Sequence, residues 1–313
     1  MKTRDIFYGG DSKLRSGWRF AIFCLMFAVA SFIISTIATF VFHALPNTVA
    51  ETSVASFVVG GILGLAPAIL IGWLCGSLLE GLPFRALGVW ITGGWVKHLI
   101  IGSLIGAVTL AFAVGIAAVF GDLDFSFSGA DTSAISQTLF SSLLVFGISA
   151  AFEEALFRGY VLQTFARSGL AWLAIILTSV FFGAVHLGNP NSGLLSTINT
   201  ALAGVWFGVA YLKTRDLWFV WGLHLMWNWM QGAIFGIEVS GLTAIVHSPL
   251  LKESDHGPAW LTGENYGIEA SVACTIALIV STIAIYYLPF LKPSEEMRKL
   301  SEPAASAAGQ FGE

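Results

Sequence analysis

The chain has 313 residues, of which 56% are hydrophobic and 11% charged, with a mean hydropathy of +0.80 and a formal net charge of −4. A soluble domain carries about 25% charged residues, so this composition excludes a soluble globular protein and describes a polytopic one embedded in a lipid bilayer. No basic stripe with interleaved aromatics is present, which speaks against a nucleic-acid partner. Cys24, Cys75 and Cys274 all fall in apolar stretches, without the spacing of a disulfide framework or a cysteine-based zinc site.

A membrane-spanning helix needs about 20 apolar residues. Eight stretches qualify in chain order: 18–42, 54–78, 98–120, 135–157, 170–187, 194–212, 217–237 and 270–291. The expected fold is therefore all-α, a polytopic membrane protein of about eight transmembrane helices. The first stretch is longer than a signal-peptide core and lacks a small-x-small cleavage site, so it reads as a retained anchor. The fifth and sixth are short and joined by the helix-breaking turn Gly188-Asn189-Pro190-Asn191-Ser192-Gly193. The 11 Trp and 25 Phe suit membrane interfaces and lipid-facing surfaces. Segment 238–269 is the longest polar connection, and the tail from Pro293 is polar, rich in small residues and expected to be disordered at its end. No internal repeat is evident. The chain divides into N-terminal helices (1–134), a core carrying the polar motifs (135–237), and a last part with the long loop, the final helix and the tail (238–313).

Cytoplasmic loops are enriched in Lys and Arg. With the N-terminus inside, the inner segments carry Lys2, Arg4, Lys13, Arg15, Arg19, Arg85, Lys97, Arg158, Arg167, Lys213, Arg215, Lys292, Arg298 and Lys299, which is every basic residue except Lys252. The outer segments hold Glu51, Asp122, Asp124, Asp131, Asp255 and Glu264. Both termini are therefore expected in the cytoplasm. The absence of an organelle-retention signal favours a bacterial plasma membrane.

Ionisable groups are costly in hydrocarbon, and those that occur there mark functional sites. Three polar motifs lie inside the apolar stretches: Glu153-Glu154-x-x-x-Arg158, Phe182-x-x-x-His186 and His224-x-x-x-Asn228. Glu154 precedes Arg158 by four residues, the favourable order for an ion pair on one helical face. It reads equally as a structural salt bridge or as a group with a direct chemical role. Glu153 has Leu156 and Phe157 at the corresponding positions, so its partner must come from another helix, which makes it the better candidate base. Glu153 lies 16 residues before Gly169 and His186 lies 17 after it. At about 1.5 Å per residue both are roughly 24–26 Å from that turn, so an antiparallel pair brings them to one depth. Phe182, one turn before His186, would wall the imidazole from lipid. His224 and Asn228 share one face of the seventh helix; they suit either a site or a polar stripe that bonds neighbouring helices. Counted from the Lys213–Asp216 loop, His224 falls about 10 Å nearer the inner face than Glu153. The gap closes if the end of the fourth helix projects or tilts. His43, His98, His247 and His256 are expected to be interfacial or solvated, while Asn199 and Thr200 are candidates for the same cavity.

A carboxylate and an imidazole facing one water can deprotonate it for attack on a carbonyl carbon. A second imidazole and an amide can donate hydrogen bonds to the developing oxyanion. Alternatively, Glu153, His186 and His224 are candidate ligands for a divalent metal such as zinc, although no His-Glu-x-x-His motif occurs. Two other classes compete. A non-catalytic immunity or binding protein would use the same cavity for a peptide. A transporter or proton relay would use the same groups, but no inverted repeat or paired broken helices are seen.

The ordered motifs Glu153-Glu154-Ala155-Leu156-Phe157-Arg158-Gly159, Phe182-x-x-x-His186 and His224-x-x-x-Asn228 resemble the type II CAAX prenyl endopeptidases, also called the Abi or CPBP family of intramembrane proteases. The resemblance covers about residues 135–237, matches at every named position, and leaves the first three spans and the tail without a signature. It implies an eight-helix protease with a site open toward the cytosolic leaflet. It also implies that Glu153 and His186 activate water, that His224 and Asn228 form the oxyanion hole, and that Glu154 and Arg158 support them. The family is labelled metalloprotease, though a metal-free glutamate mechanism is also argued. Its substrates are membrane-associated proteins or peptides, prenylated in eukaryotes, and some bacterial members are linked to bacteriocin self-immunity. Nothing in the chain indicates prenyl specificity.

Overall fold

The computed structural model describes residues 6–9, 13–44, 53–91 and 94–301. Lys2, Arg4, Glu51, the His43 side chain and the end of the tail lie outside the described residues.

Eight main helices follow one another in the expected order: α1 (Ser16–Ala44), α2 (Val54–Glu80), α3 (Trp95–Phe120), α4 (Thr132–Glu154), α5 (Ala171–Val185), α6 (Leu194–Thr214), α7 (Leu217–Trp229) and α8 (Val272–Tyr287). A short α9 (Glu295–Ser301) follows in what reads from sequence as a polar tail; it docks through buried Met297 and an Arg85–Glu296 ion pair of 2.6 Å. The helices start where side chains can accept the first free N–H groups. Asp131 caps α4 through Ser133 N, Asp216 caps α7 through Trp218 N, and Ser271 caps α8 through Cys274 N.

Among the described residues, five helices are long and apolar enough to cross a membrane, namely those at 16–41, 54–80, 95–120, 132–167 and 194–214; α5 and α8 are shorter apolar helices. The fourth is longer than the sequence suggests, because α4 continues without a break through Ala155–Val161 and Leu162–Arg167. Large apolar side chains stand exposed around the bundle, among them Leu25, Phe32, Leu78, Phe120 and Leu194. Helices apolar on every side need a lipid or protein surround. The chain is thus a mostly helical integral membrane protein.

The architecture departs from pure α at one place. β1 (Leu123–Phe127) and β2 (Leu251–Asp255) form a two-stranded antiparallel sheet, with Leu123 opposite Asp255 and Phe127 opposite Leu251. Both strands lie in connections between helices, where alternating residues such as Leu123-Asp124-Phe125 suit a half-buried strand.

The two ends of the bundle differ in chemistry. At one end, Arg19 and Arg167 both pair with Glu80 at 2.9 Å, His98 Nδ1 meets Asp216 Oδ2 at 2.6 Å, and Lys213 donates to the Tyr286 carbonyl. At the other end lie the sheet, the 187–193 turn and segment 238–269, tied by Asn189 to Ser240 and Asn191 to Asn265. Arg158, which the charge count places with an inner loop, belongs to neither end: it is fully buried within the fourth helix.

α3 and α7 cross at backbone contact. A Cβ added at Gly102 would lie 2.0 Å from Phe219 O, one at Gly106 2.2 Å from Leu223 O, and one at Gly222 2.4 Å from Leu99 O. Small residues four apart let membrane helices approach this closely. The crossing fixes the turn of α7 that carries His224.

Candidate active site

Glu153, Phe182, His186, His224 and Asn228 all line one cavity of about 360 Å³. Its walls come from α2, α4, α5, α6, α7 and α8, with Val239, Ser240, Leu242 and Ile245 of the 238–269 segment among the residues that complete them. Asn199 and Thr200 line it too, although Asn199 spends its amide on the Glu269 and Ser271 carbonyls and on Thr275.

Glu154 is the buried hub. Its Oε1 accepts from Arg158 Nη1 at 3.1 Å and pairs with His224 Nδ1 at 2.8 Å. It therefore makes the ion pair expected from spacing and also orients an imidazole from another helix. Arg158 is held from the remaining directions: Nη2 donates to the Gly204 carbonyl at 3.1 Å, and its guanidinium lies 4.8 Å from the Phe182 ring centroid and 5.1 Å from that of Phe207. A guanidinium over aromatic faces gains cation–π attraction, which is strongest away from water. Gly204 also sets the close packing of α6 on α5, since a Cβ there would lie 2.6 Å from Ser179 Cα.

Glu153 points the other way, its side chain 24% exposed toward the cavity. Its Oε2 is buried with no hydrogen-bond partner among the described residues, and His224 Nε2, on another helix, stands 3.9 Å away. That separation is too long for a direct hydrogen bond. The contacts of His224 with both glutamates close the depth gap expected from loop counting; the fourth helix runs on to Arg167, so its turn lies farther from the site than the start of α7.

His186 caps the end of α5, and its Nδ1 lies 2.7 Å from the Phe182 carbonyl. A carbonyl only accepts, so Nδ1 carries the proton and Nε2 of the neutral ring keeps its lone pair. Phe182 packs near both imidazoles, tilted against His186 with centroids 4.8 Å apart and edge-on to His224 at 6.1 Å. Asn228 is half-buried and lines the cavity with its amide uncommitted among the described residues.

Two π-helical segments flank the motifs, Ala155–Val161 directly after Glu154 and Met230–Ile234 just after Asn228. Such segments are rare and concentrate at functional sites. Nothing in the residue pattern signals them.

Sequence reasoning also misses Glu269. This half-buried carboxylate lines the cavity from the turn before α8, accepts from the Ser240 backbone and hydroxyl, and is approached by Trp227 Nε1 at 3.4 Å. Burial raises its pKa, and the Ser240 donors oppose that rise. It lies in a polar loop segment, where an acid carries no signal.

A metal fits this arrangement poorly. Among the described residues no group of three or more His, Cys, Asp and Glu is placed to hold an ion. The Nδ1 contacts of His224 with Glu154 and of His186 with the Phe182 carbonyl leave each Nε2 uncommitted, as in histidines that ligate metals, so these contacts do not themselves argue against an ion. Glu153, His186 and His224 share the cavity without forming a ligand set.

Compared with known proteins, residues 135–230 match the family model of the type II CAAX prenyl endopeptidase Rce1-like proteins. The matched segment holds all seven motif residues and leaves out α1–α3, Glu269 and α8. No curated protein matches the chain. Over residues 135–230, this integral membrane protein is similar to the Rce1-like type II CAAX prenyl endopeptidase family.

Proposed function

We propose that this protein is an intramembrane endopeptidase that hydrolyses a peptide bond of a membrane-associated protein or peptide. The observation that carries this reading is the free, buried Oε2 of Glu153 in a cavity shared with His186, His224 and Asn228. A water held between Glu153 and His186 Nε2 loses a proton to Glu153 as its oxygen attacks the carbonyl carbon. The carbonyl oxygen gains negative charge and accepts from Asn228 Nδ2–H and from His224 Nε2–H. With Nδ1 donating to the Glu154 carboxylate, His224 donates through Nε2 when that nitrogen also carries a proton. The C–N bond breaks, the proton on Glu153 passes to the leaving amine, and the acyl carbon keeps the hydroxyl. Arg158 balances the charge of Glu154.

In this reading α1–α8 all cross the bilayer, with both termini cytoplasmic and the basic end inside, in a bacterial plasma membrane. The test is cleavage of a peptide library, prenylated and unmodified, by purified protein in detergent, with products read by mass spectrometry. Products should form with wild type and vanish with Glu153→Ala. They should persist with a chelator if side chains alone activate the water; their loss would assign a metal. No Glu153-dependent product from folded protein would favour a peptide-binding or immunity role.

A further inference from the structure

We propose that the cavity opens to the extracytoplasmic side, so that the substrate is a polypeptide segment presented at the outer leaflet rather than a cytosolic tail. This deepens the protease reading, rests on it for the word substrate and on the cytoplasmic placement of the basic end for the word outer, and departs from the opening toward the cytosolic leaflet that the family resemblance implies.

The lining residues are one-sided. From α4 they are Phe146, Ser149, Phe152, Glu153, Leu156 and Phe157. The helix runs on to Arg167, yet none of its last ten residues takes part. On α5 the lining starts at Phe182, near its end, and on α7 at His224, seven residues into the helix. On α8 it is Cys274 and Leu278, within the first two turns. Every lining position lies at the level of the glutamates or toward the end that bears β1, β2 and the 187–193 turn. The connections at 81–94, 168–170 and 215–216 contribute nothing.

The closed end is sealed. Between the cavity and that face lie Arg158, Tyr160, Leu162, Tyr211 and Phe219, all 0 or 1% exposed, followed by the Arg19–Glu80–Arg167 ion pairs. The ions at that end are those the positive-inside rule assigns to the cytoplasm. The open end carries Asp122, Asp124, Asp131, Asp255 and Glu264, with Lys252 as the basic residue there. Charge asymmetry and cavity direction are independent observations, and together they put the entrance outside.

The walls also describe the guest. Phe57, Val185, Leu242 and Ile245 around the outer part of the cavity are apolar, and outside the motif residues the polar lining is Ser149, Asn189, Asn199, Thr200, Ser240 and Glu269. Leu242 is 37% exposed and Val185 61%. An extended, mainly apolar peptide segment leaving the outer leaflet, such as the membrane-proximal part of an anchored protein, suits this lining.

Cysteine accessibility tests the direction without relying on catalysis. In a chain with Cys24, Cys75 and Cys274 replaced by Ala, Asn228→Cys and Leu242→Cys are treated with a membrane-impermeant cationic thiosulfonate, in spheroplasts and in inverted membrane vesicles. The expected result is at least ten-fold faster modification in spheroplasts for both, with the opposite ratio for Ser294→Cys near α9. Faster modification of Asn228→Cys in inverted vesicles, or none from either side while Leu242→Cys reacts, overturns the proposal. Reversal at all three positions overturns it through the orientation alone. Loss of Glu153-dependent library products would overturn the proposed function and leave the labelling result standing.

Discussion

His224 Nδ1 lies 2.8 Å from Glu154 Oε1, and this one contact joins the buried ion pair of α4 to the chemistry of α7. It divides the two adjacent glutamates by task. Glu154 is 1% exposed and faces Arg158 and His224; Glu153 is 24% exposed and faces the cavity. Neighbours on a helix point about 100° apart, which is why adjacent acids separate so cleanly.

Glu153→Ala and Glu154→Ala should therefore fail differently. Removing Glu153 deletes a group with a free carboxylate oxygen and should abolish turnover while leaving the unfolding temperature in detergent nearly unchanged. Removing Glu154 leaves Arg158 as a buried charge without its carboxylate, a loss of about 3–5 kcal/mol, and should lower both stability and activity. Thermal unfolding of the two variants beside wild type decides this; equal stability losses would contradict the division.

Arg158→Lys should behave as a severe substitution. Lysine can replace the charge beside Glu154 but not the planar fork that also reaches Gly204 O and stacks against Phe182 and Phe207. The double variant Glu154→Leu with Arg158→Leu should unfold at a higher temperature than either single one, because it removes the charge and its partner together. It should still be inactive, since His224 loses its orienting carboxylate. An additive loss of stability in the double variant would argue against the pair acting as a unit.

How much of this is readable beforehand depends on the range of the signal. The eight helices follow from apolar length, and the Glu154–Arg158 pair follows from a spacing of four. Equal depth of Glu153 and His186 follows from counting along one antiparallel pair, and both line one cavity. The approach of His224 to the glutamates is not readable, because it depends on a 36-residue helix outlasting its apolar stretch. Glu269 is hidden for a different reason: it reaches the cavity only once segment 238–269 folds back over the helix ends. The close crossing of α3 and α7 has a signal, Gly102-Ser-Leu-Ile-Gly106, whose partner surface at Gly222 no spacing rule identifies.

That crossing gives a prediction remote from the chemistry. A Cβ at Gly106 would sit 2.2 Å from Leu223 O, so Gly106→Ala must push α7 away from α3. Overpacking of this kind costs about 1–3 kcal/mol, and a displacement near 1 Å at a reacting group can cost about 100-fold in rate. Gly115→Ala, on the same helix with nothing within 4 Å of the added atom, is the control. Turnover should fall steeply in the first variant and stay near wild type in the second. Full activity of Gly106→Ala would show that the crossing does not set the position of His224.

Segment 238–269 should be pH-sensitive through Glu253. Burial first, and then the charge and hydrogen bond of Glu238, with a smaller push from Asp255, raise the Glu253 carboxyl to about 8. The proton is held more tightly in the folded chain than in the unfolded one, so folding takes up a proton between the ordinary carboxylate range and about 8. The stabilisation is complete below that range and is lost as pH rises through about 8, when two neighbouring carboxylates become charged. Glu253→Gln keeps a donor to Glu238 without ionising. Unfolding followed from pH 5.5 to 9 in detergent should show wild type losing stability toward the alkaline end more steeply than this variant. Parallel curves would mean that another group carries the dependence. Since Val239, Ser240, Leu242 and Ile245 wall the cavity beside this pair, ionisation of Glu253 should loosen the wall before the helices separate, and turnover should decline over the same interval.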